Sequence, residues 1–86
     1  MDTELASEIL KALGHPSRLE IVLGLMKDEC SVGEIQKRLR LPQSTISQHL
    51  RILRNSGIIA ARKDGARRCY KVVDDRARKI CEIMRK

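Results

Sequence analysis

The amino-acid sequence predicts a mainly α-helical domain with one small β-hairpin, in the order α-α-α-α-β-β-α. Three observations carry this. Apolar residues recur at helical spacing over most of the chain. A single Asp64-Gly65 step between two short runs marks a hairpin turn. The core palette, with Tyr70 the only aromatic among 86 residues, suits packed helices better than a sandwich or barrel. At this length the chain reads as one domain over residues 1–86, so small a core that association with a second copy is expected.

Each element has its own signals. Leu5, Ile9 and Leu13 share a helical face that ends at Gly14. Pro16 then stands where a second helix can begin, because a first-turn residue has no amide bond to lose. That helix reaches about Asp28, with Leu19, Val22 and Met26 along one face and Ile21 and Leu25 beside it. Ser31 and Glu34 have the spacing of a capping box, opening a short helix that turns Ile35 and Leu39 inward. Pro42 allows only a turn before a fourth helix, about Gln43 to Ser56, which buries Ile46, Leu50 and Leu53. Strands then flank Asp64-Gly65. From Asp74 the spacing is helical again through Ala77, Ile80, Cys81 and Met84. Two consecutive short helices followed by a hairpin make a winged helix-turn-helix.

Charge points to the partner. Residues 1–34 carry a net charge of −4 and residues 35–86 one of +11. A basic half on a small domain is the footprint of a polyanion. On the fourth helix the outward face holds Ser44, Ser47, Gln48 and Arg51, with Gln43, Thr45 and His49 at its edges. Exposed helices usually carry Glu and Lys, yet no acidic residue occurs from Leu41 to Leu53. Short polar side chains there can enter a major groove and exchange hydrogen bonds with base edges. Around the hairpin tip, Arg62, Lys63, Arg67 and Arg68 are placed to reach backbone phosphates or the minor groove.

Other classes fit less well. The chain has no nucleophile-base pairing, no glycine-rich phosphate loop and no paired carboxylates of a pocket, so an enzyme is not expected. Single-stranded RNA binding would call for stacking aromatics, and only Tyr70 is present. A protein-binding winged helix would not require a reading helix free of carboxylates. No segment suits a bilayer or a secretory leader, and three cysteines without a CxxC pair suggest reduced thiols in the cytoplasm.

The motifs resemble those of the ArsR/SmtB family of winged-helix repressors. Leu10-Lys11-Ala12-Leu13-Gly14-His15-Pro16-Ser17-Arg18-Leu19 is similar to its opening motif. Ser31-Val32-Gly33-Glu34-Ile35, Gln43 to Leu50, and Leu53-Arg54-Asn55-Ser56-Gly57-Ile58-Ile59 resemble its central signature, and Arg62 to Gly65 with Tyr70 its wing. The resemblance spans about residues 5 to 73. It implies a homodimer joined through the first and last helices, here by Leu5, Ile9, Ile80 and Met84. It also implies an operator in double-stranded DNA and release by metal ions or oxidised thiols, and the two-fold symmetry of a dimer makes that operator an inverted repeat. The family's metal ligands are incomplete here: Ser31, Gly33 and Gln36 stand at its cysteine region, and Asp74 and Asp75 stand near the start of the last helix but no His follows His49. No metal site is therefore assigned. Cys30 and Cys81 are the candidate effector residues, answering to reactive sulfur or a soft ion such as arsenite. The alternative is a regulator that binds DNA with no small inducer. In this reading Cys69 is a strand-packing residue.

Overall fold

The computed structural model describes residues 1–85. Five helices and a two-stranded antiparallel hairpin follow in the expected order: α1 (Thr3–Leu13), α2 (Pro16–Lys27), α3 (Val32–Leu39), α4 (Gln43–Asn55), β1 (Ile59–Asp64), β2 (Arg67–Val72) and α5 (Asp75–Met84). The architecture is the winged helix-turn-helix that the sequence predicts.

Local chemistry sets the boundaries. Asp2 caps α1 by accepting from the Leu5 amide, and Asp74 caps α5 by accepting from the Ala77 amide at 2.9 Å. His15 caps α2, its Nδ1 accepting from the Ser17 amide, with Pro16 in the first turn. The expected capping box at α3 does not form. Ser31 Oγ donates instead to the Asp28 carbonyl at 2.7 Å, so it closes the end of α2 rather than opening α3.

The turn between α3 and α4 is tight. Arg40 adopts the left-handed conformation (φ 56°), and the Leu41 amide donates back to the Gln36 carbonyl at 3.1 Å. Gln36 Nε2 in turn donates to the Leu41 carbonyl at 3.2 Å, pinning the loop that fixes α4 against α3.

The core gathers one face of every helix: Ile9, Ala12, Leu13, Ile21, Val22, Leu25, Val32, Ile35, Ile46, Leu50, Leu53, Ala77 and Cys81, closed by Ile58, Ile59 and Val72 of the hairpin. On α2 the buried stripe runs through Ile21, Val22 and Leu25, with Leu19 and Met26 at its edges, a rotation from the expected face. The close contact of α2 with α3 rests on Gly24, where a Cβ would lie 2.5 Å from the Ile35 side chain.

The hairpin turns at Gly65 (φ 62°) and pairs Ile59 with Val72, Arg62 with Cys69 and Lys63 with Arg68. One bond extends the ladder past Val72, and two fasten the hairpin to the segment between α2 and α3. The Val73 amide donates to the Ile58 carbonyl and the Tyr70 amide to the Glu29 carbonyl, each at 2.8 Å. The third is covalent: Cys30, between α2 and α3, forms a disulfide with Cys69 of β2. This corrects the expectation of three reduced thiols and of Cys69 as plain strand packing. Cysteines 39 residues apart in sequence showed no spacing motif, and only the return of the hairpin beside the end of α2 brings them together.

Candidate nucleic-acid interface

Helix α4 is held by its inner face, where Ile46, Leu50 and Leu53 are at most 2% exposed. That anchoring turns Gln43, Ser44, Gln48 and Arg51 to solvent, with Thr45 and Ser47 half-buried at the margins. Gln43 Nε2 donates to Ser47 Oγ at 3.3 Å, one turn along the same face. The result is a row of short donors and acceptors with no carboxylate among them.

His49 is not part of that row. It is buried, its ring 4.6 Å from the His15 ring and its Nδ1 3.5 Å from Arg18 Nη1. Burial, followed by the charges of His15 and Arg18, lowers its pKa from the ordinary imidazole value, which favours the neutral ring. Arg18 also donates from Nε to the Ala12 carbonyl at 2.6 Å. His49 and Arg18 therefore tie α4 to α1 and α2, and His49 positions the reading helix from behind.

In the wing, Arg62, Lys63, Arg67 and Arg68 are all exposed, as expected from sequence. Lys63 and Arg68 sit directly across the ladder from each other. Like charges in that arrangement cost stability unless an anion lies against them. Two wing cations already have partners: Arg62 pairs with Glu29 at 2.8 Å, and Arg67 approaches Asp64 at 4.0 Å. Between α4 and β1 lies a concave surface lined by Arg51, Arg54, Asn55, Ile59, Ala60 and Ala61. Arg54 belongs to this surface and was missed in the sequence. Its signal was the three-residue spacing from Arg51, which places both on one helical face.

The proposed effector and dimer residues divide. Cys81 is fully buried in the core, and burial, then the neighbouring Glu82, raises its thiol pKa. It does not meet Cys30, which is bonded to Cys69. The sulfurs of Cys30 and Cys69 lie within 4.8 Å of an Asp64 carboxylate oxygen, but sulfurs joined in a disulfide are not thiolate ligands for a soft ion. At the head of α5, Asp74 is engaged, in its cap and with Arg76 at 3.7 Å. Of the four dimer candidates, Leu5 and Met84 are exposed, Ile80 is partly buried and Ile9 belongs to the protomer's own core. Leu10 and Ile83, not anticipated, join the exposed apolar set on α1 and α5.

Residues 15–61 match the family described as the arsR family of bacterial regulatory proteins. The chain belongs to the ArsR family. It is 45% identical over 83 residues to an uncharacterized HTH-type transcriptional regulator, MJ1325, of Methanocaldococcus jannaschii, covering 94% of this chain and 92% of that one. It is 38% identical to the biofilm growth-associated repressor of Agrobacterium fabrum, over 88% of this chain and 65% of the relative. The structure of reduced HlyU from Vibrio cholerae superposes with a TM-score of 0.87 at 35% identity, covering 96% of this chain and 87% of that chain. This ArsR-family chain is thus a DNA-binding transcriptional regulator in a family whose relatives here are regulators rather than enzymes. Among the described residues no helix is long and apolar enough to cross a membrane.

Proposed function

We propose that the protein represses transcription as a homodimer that reads an inverted-repeat operator through α4, grips phosphates with the wing, and is released by thiol chemistry. The observation that carries the reading is the carboxylate-free outer face of α4, set next to a wing in which Lys63 opposes Arg68. Gln48 and Arg51 suit adenine and guanine edges, and Ser44, Thr45 and Ser47 suit bases or phosphates. The function requires the compartment that holds the DNA, which for the bacterial regulators of this family is the cytoplasm.

Two protomers joined through α1 and α5 would present two reading helices related by a two-fold axis, which matches a palindromic site. Exposed Leu5, Leu10, Ile83 and Met84 supply the apolar surface for that contact. A shallow hollow between Ala6, Ile9, Leu10, Arg76 and Ile80 lies beside them.

The wing gives the first test. Arg68→Ala is expected to weaken binding to operator and to random duplex alike. It should also make the slope of log K against log salt concentration shallower by about one per lost contact, and twice that in a dimer. Filter binding over a salt series, with duplex DNA, duplex RNA and single strands compared, reads both effects. Equal binding of RNA and duplex DNA, or an unchanged slope, would remove the wing from a DNA interface.

A further inference from the structure

We infer that Cys30 and Cys69 form a redox-reversible clamp on the wing, opened by thiols and closed by low-molecular-weight disulfides, and that closing it weakens DNA binding. This rests on the DNA-binding reading above and assigns its thiol control to a new pair. Cys81, the earlier candidate, is enclosed in the core.

The two sulfurs are unequal. Cys69 is 2% exposed, whereas Cys30 is only partly buried, at the junction between α2 and α3. An external reagent therefore meets Cys30 first. Arg62 Nη2 lies 3.4 Å from Cys30 Sγ, where a cation stabilises negative charge on a reacting sulfur, and Asp64 Oδ2 lies farther off at 3.8 Å. In the reduced protein the Cys30 thiolate attacks a small disulfide, forming a mixed disulfide and expelling one thiolate. Cys69 loses its proton to solvent and attacks Cys30 Sγ, closing the bond seen here and expelling the second thiolate. Two protein thiols are oxidised and one small disulfide is reduced to two thiols. Reduction runs the same path backwards, with the incoming thiolate attacking Cys30 Sγ and Cys69 leaving.

The position of the bond gives it an effect on DNA. It joins β2 to the corner from which α3, the first helix of the helix-turn-helix, departs. Closed, it holds the Glu29 carboxylate 2.8 Å from Arg62 and fixes the root of the wing. Arg62 is then neutralised by a protein carboxylate rather than a phosphate. Opened, the wing keeps the Tyr70 to Glu29 backbone bond but gains freedom to follow the duplex. Disulfides in cytosolic proteins are typically transient and redox-sensing, outside organisms that use them structurally at high temperature.

The full chain is tested in dithiothreitol and in glutathione disulfide. Alkylation under denaturing conditions should count three thiols in the first and one in the second, interconverting on buffer exchange. Reduction should speed amide exchange across β1 and β2 while leaving α4 unchanged. The reduced form should bind a random-sequence duplex about fivefold or more tightly than the oxidised form. Cys30→Ser and Cys69→Ala should bind alike in both buffers, whereas Cys81→Ala should respond as wild type does. A disulfide that resists dithiothreitol, equal affinities of the two forms, or a response lost only in Cys81→Ala would overturn the clamp. Should neither form bind duplex DNA, the DNA-binding reading fails by itself. Thiol counts and wing exchange still decide the clamp, and unchanged exchange on reduction refutes it.

Discussion

Leu10→Asp combined with Ile83→Asp is expected to yield a folded monomer whose operator affinity falls by about two orders of magnitude or more. Both side chains are well exposed on the single chain, at 57% and 67%, so the carboxylates meet water and not the core. In the proposed dimer the same carboxylates would be buried without partners, a desolvation cost that apolar contacts cannot offset. Each monomer would still reach a half-site, but the second half-site would no longer be held at high effective concentration, an advantage of about 10²–10⁴ in affinity. Sedimentation and circular dichroism check the premise, and titration of duplex DNA checks the consequence. Ile80→Asp is a poorer probe, because Ile80 packs against the protomer's own core and its loss would confuse folding with assembly. A stable wild-type monomer at micromolar concentration would contradict the dimer altogether.

The second large effect concerns base reading. Ser47→Ala and Gln48→Ala should each weaken operator binding by about 1–3 kcal/mol, with little change on random duplex. In a two-fold dimer each substitution removes its contacts from both half-sites. Neither side chain contributes to the core, so thermal stability should move by less than about 0.5 kcal/mol. Ser47 accepts from Gln43, and its loss also frees Gln43 to adopt other rotamers, which adds to its effect. Equal losses on both duplexes would mean that α4 touches only phosphates.

Much of the fold was legible because its signals are local. Pro16 and Pro42, the Asp64-Gly65 turn and the period of Ile46, Leu50 and Leu53 each act within a few residues. The outward row of α4 followed from the same period, since fixing the buried face fixes the exposed one. What sequence could not show depends on neighbours far along the chain. His49 lies one residue from Leu50, at the boundary between the two faces. Only the approach of His15 and Arg18, at the cap and first turn of α2, turns that boundary position inward. Ile9 looked like an interface residue because it shares a stripe with Leu5, yet the protomer's own core takes Ile9 and leaves Leu5 exposed. Cys30 and Cys69 meet only after the hairpin has folded back, so no spacing rule links them. The Ser31 and Glu34 pattern misled for a local reason: the Ser31 backbone (φ −100°, ψ 13°) departs from the extended N-cap conformation, and its hydroxyl donates back to the Asp28 carbonyl while accepting from no α3 amide.

The claim that this chain is a two-fold reader of duplex DNA is tested most directly by selection of bound duplexes from a random pool by the reduced protein. The account predicts enrichment of an inverted repeat whose half-site centres lie about one helical turn, or a multiple of it, apart. Arg51→Ala should relax the preference at a guanine position within each half-site. A pool that stays random after repeated rounds, or one that enriches a single asymmetric site, would contradict it.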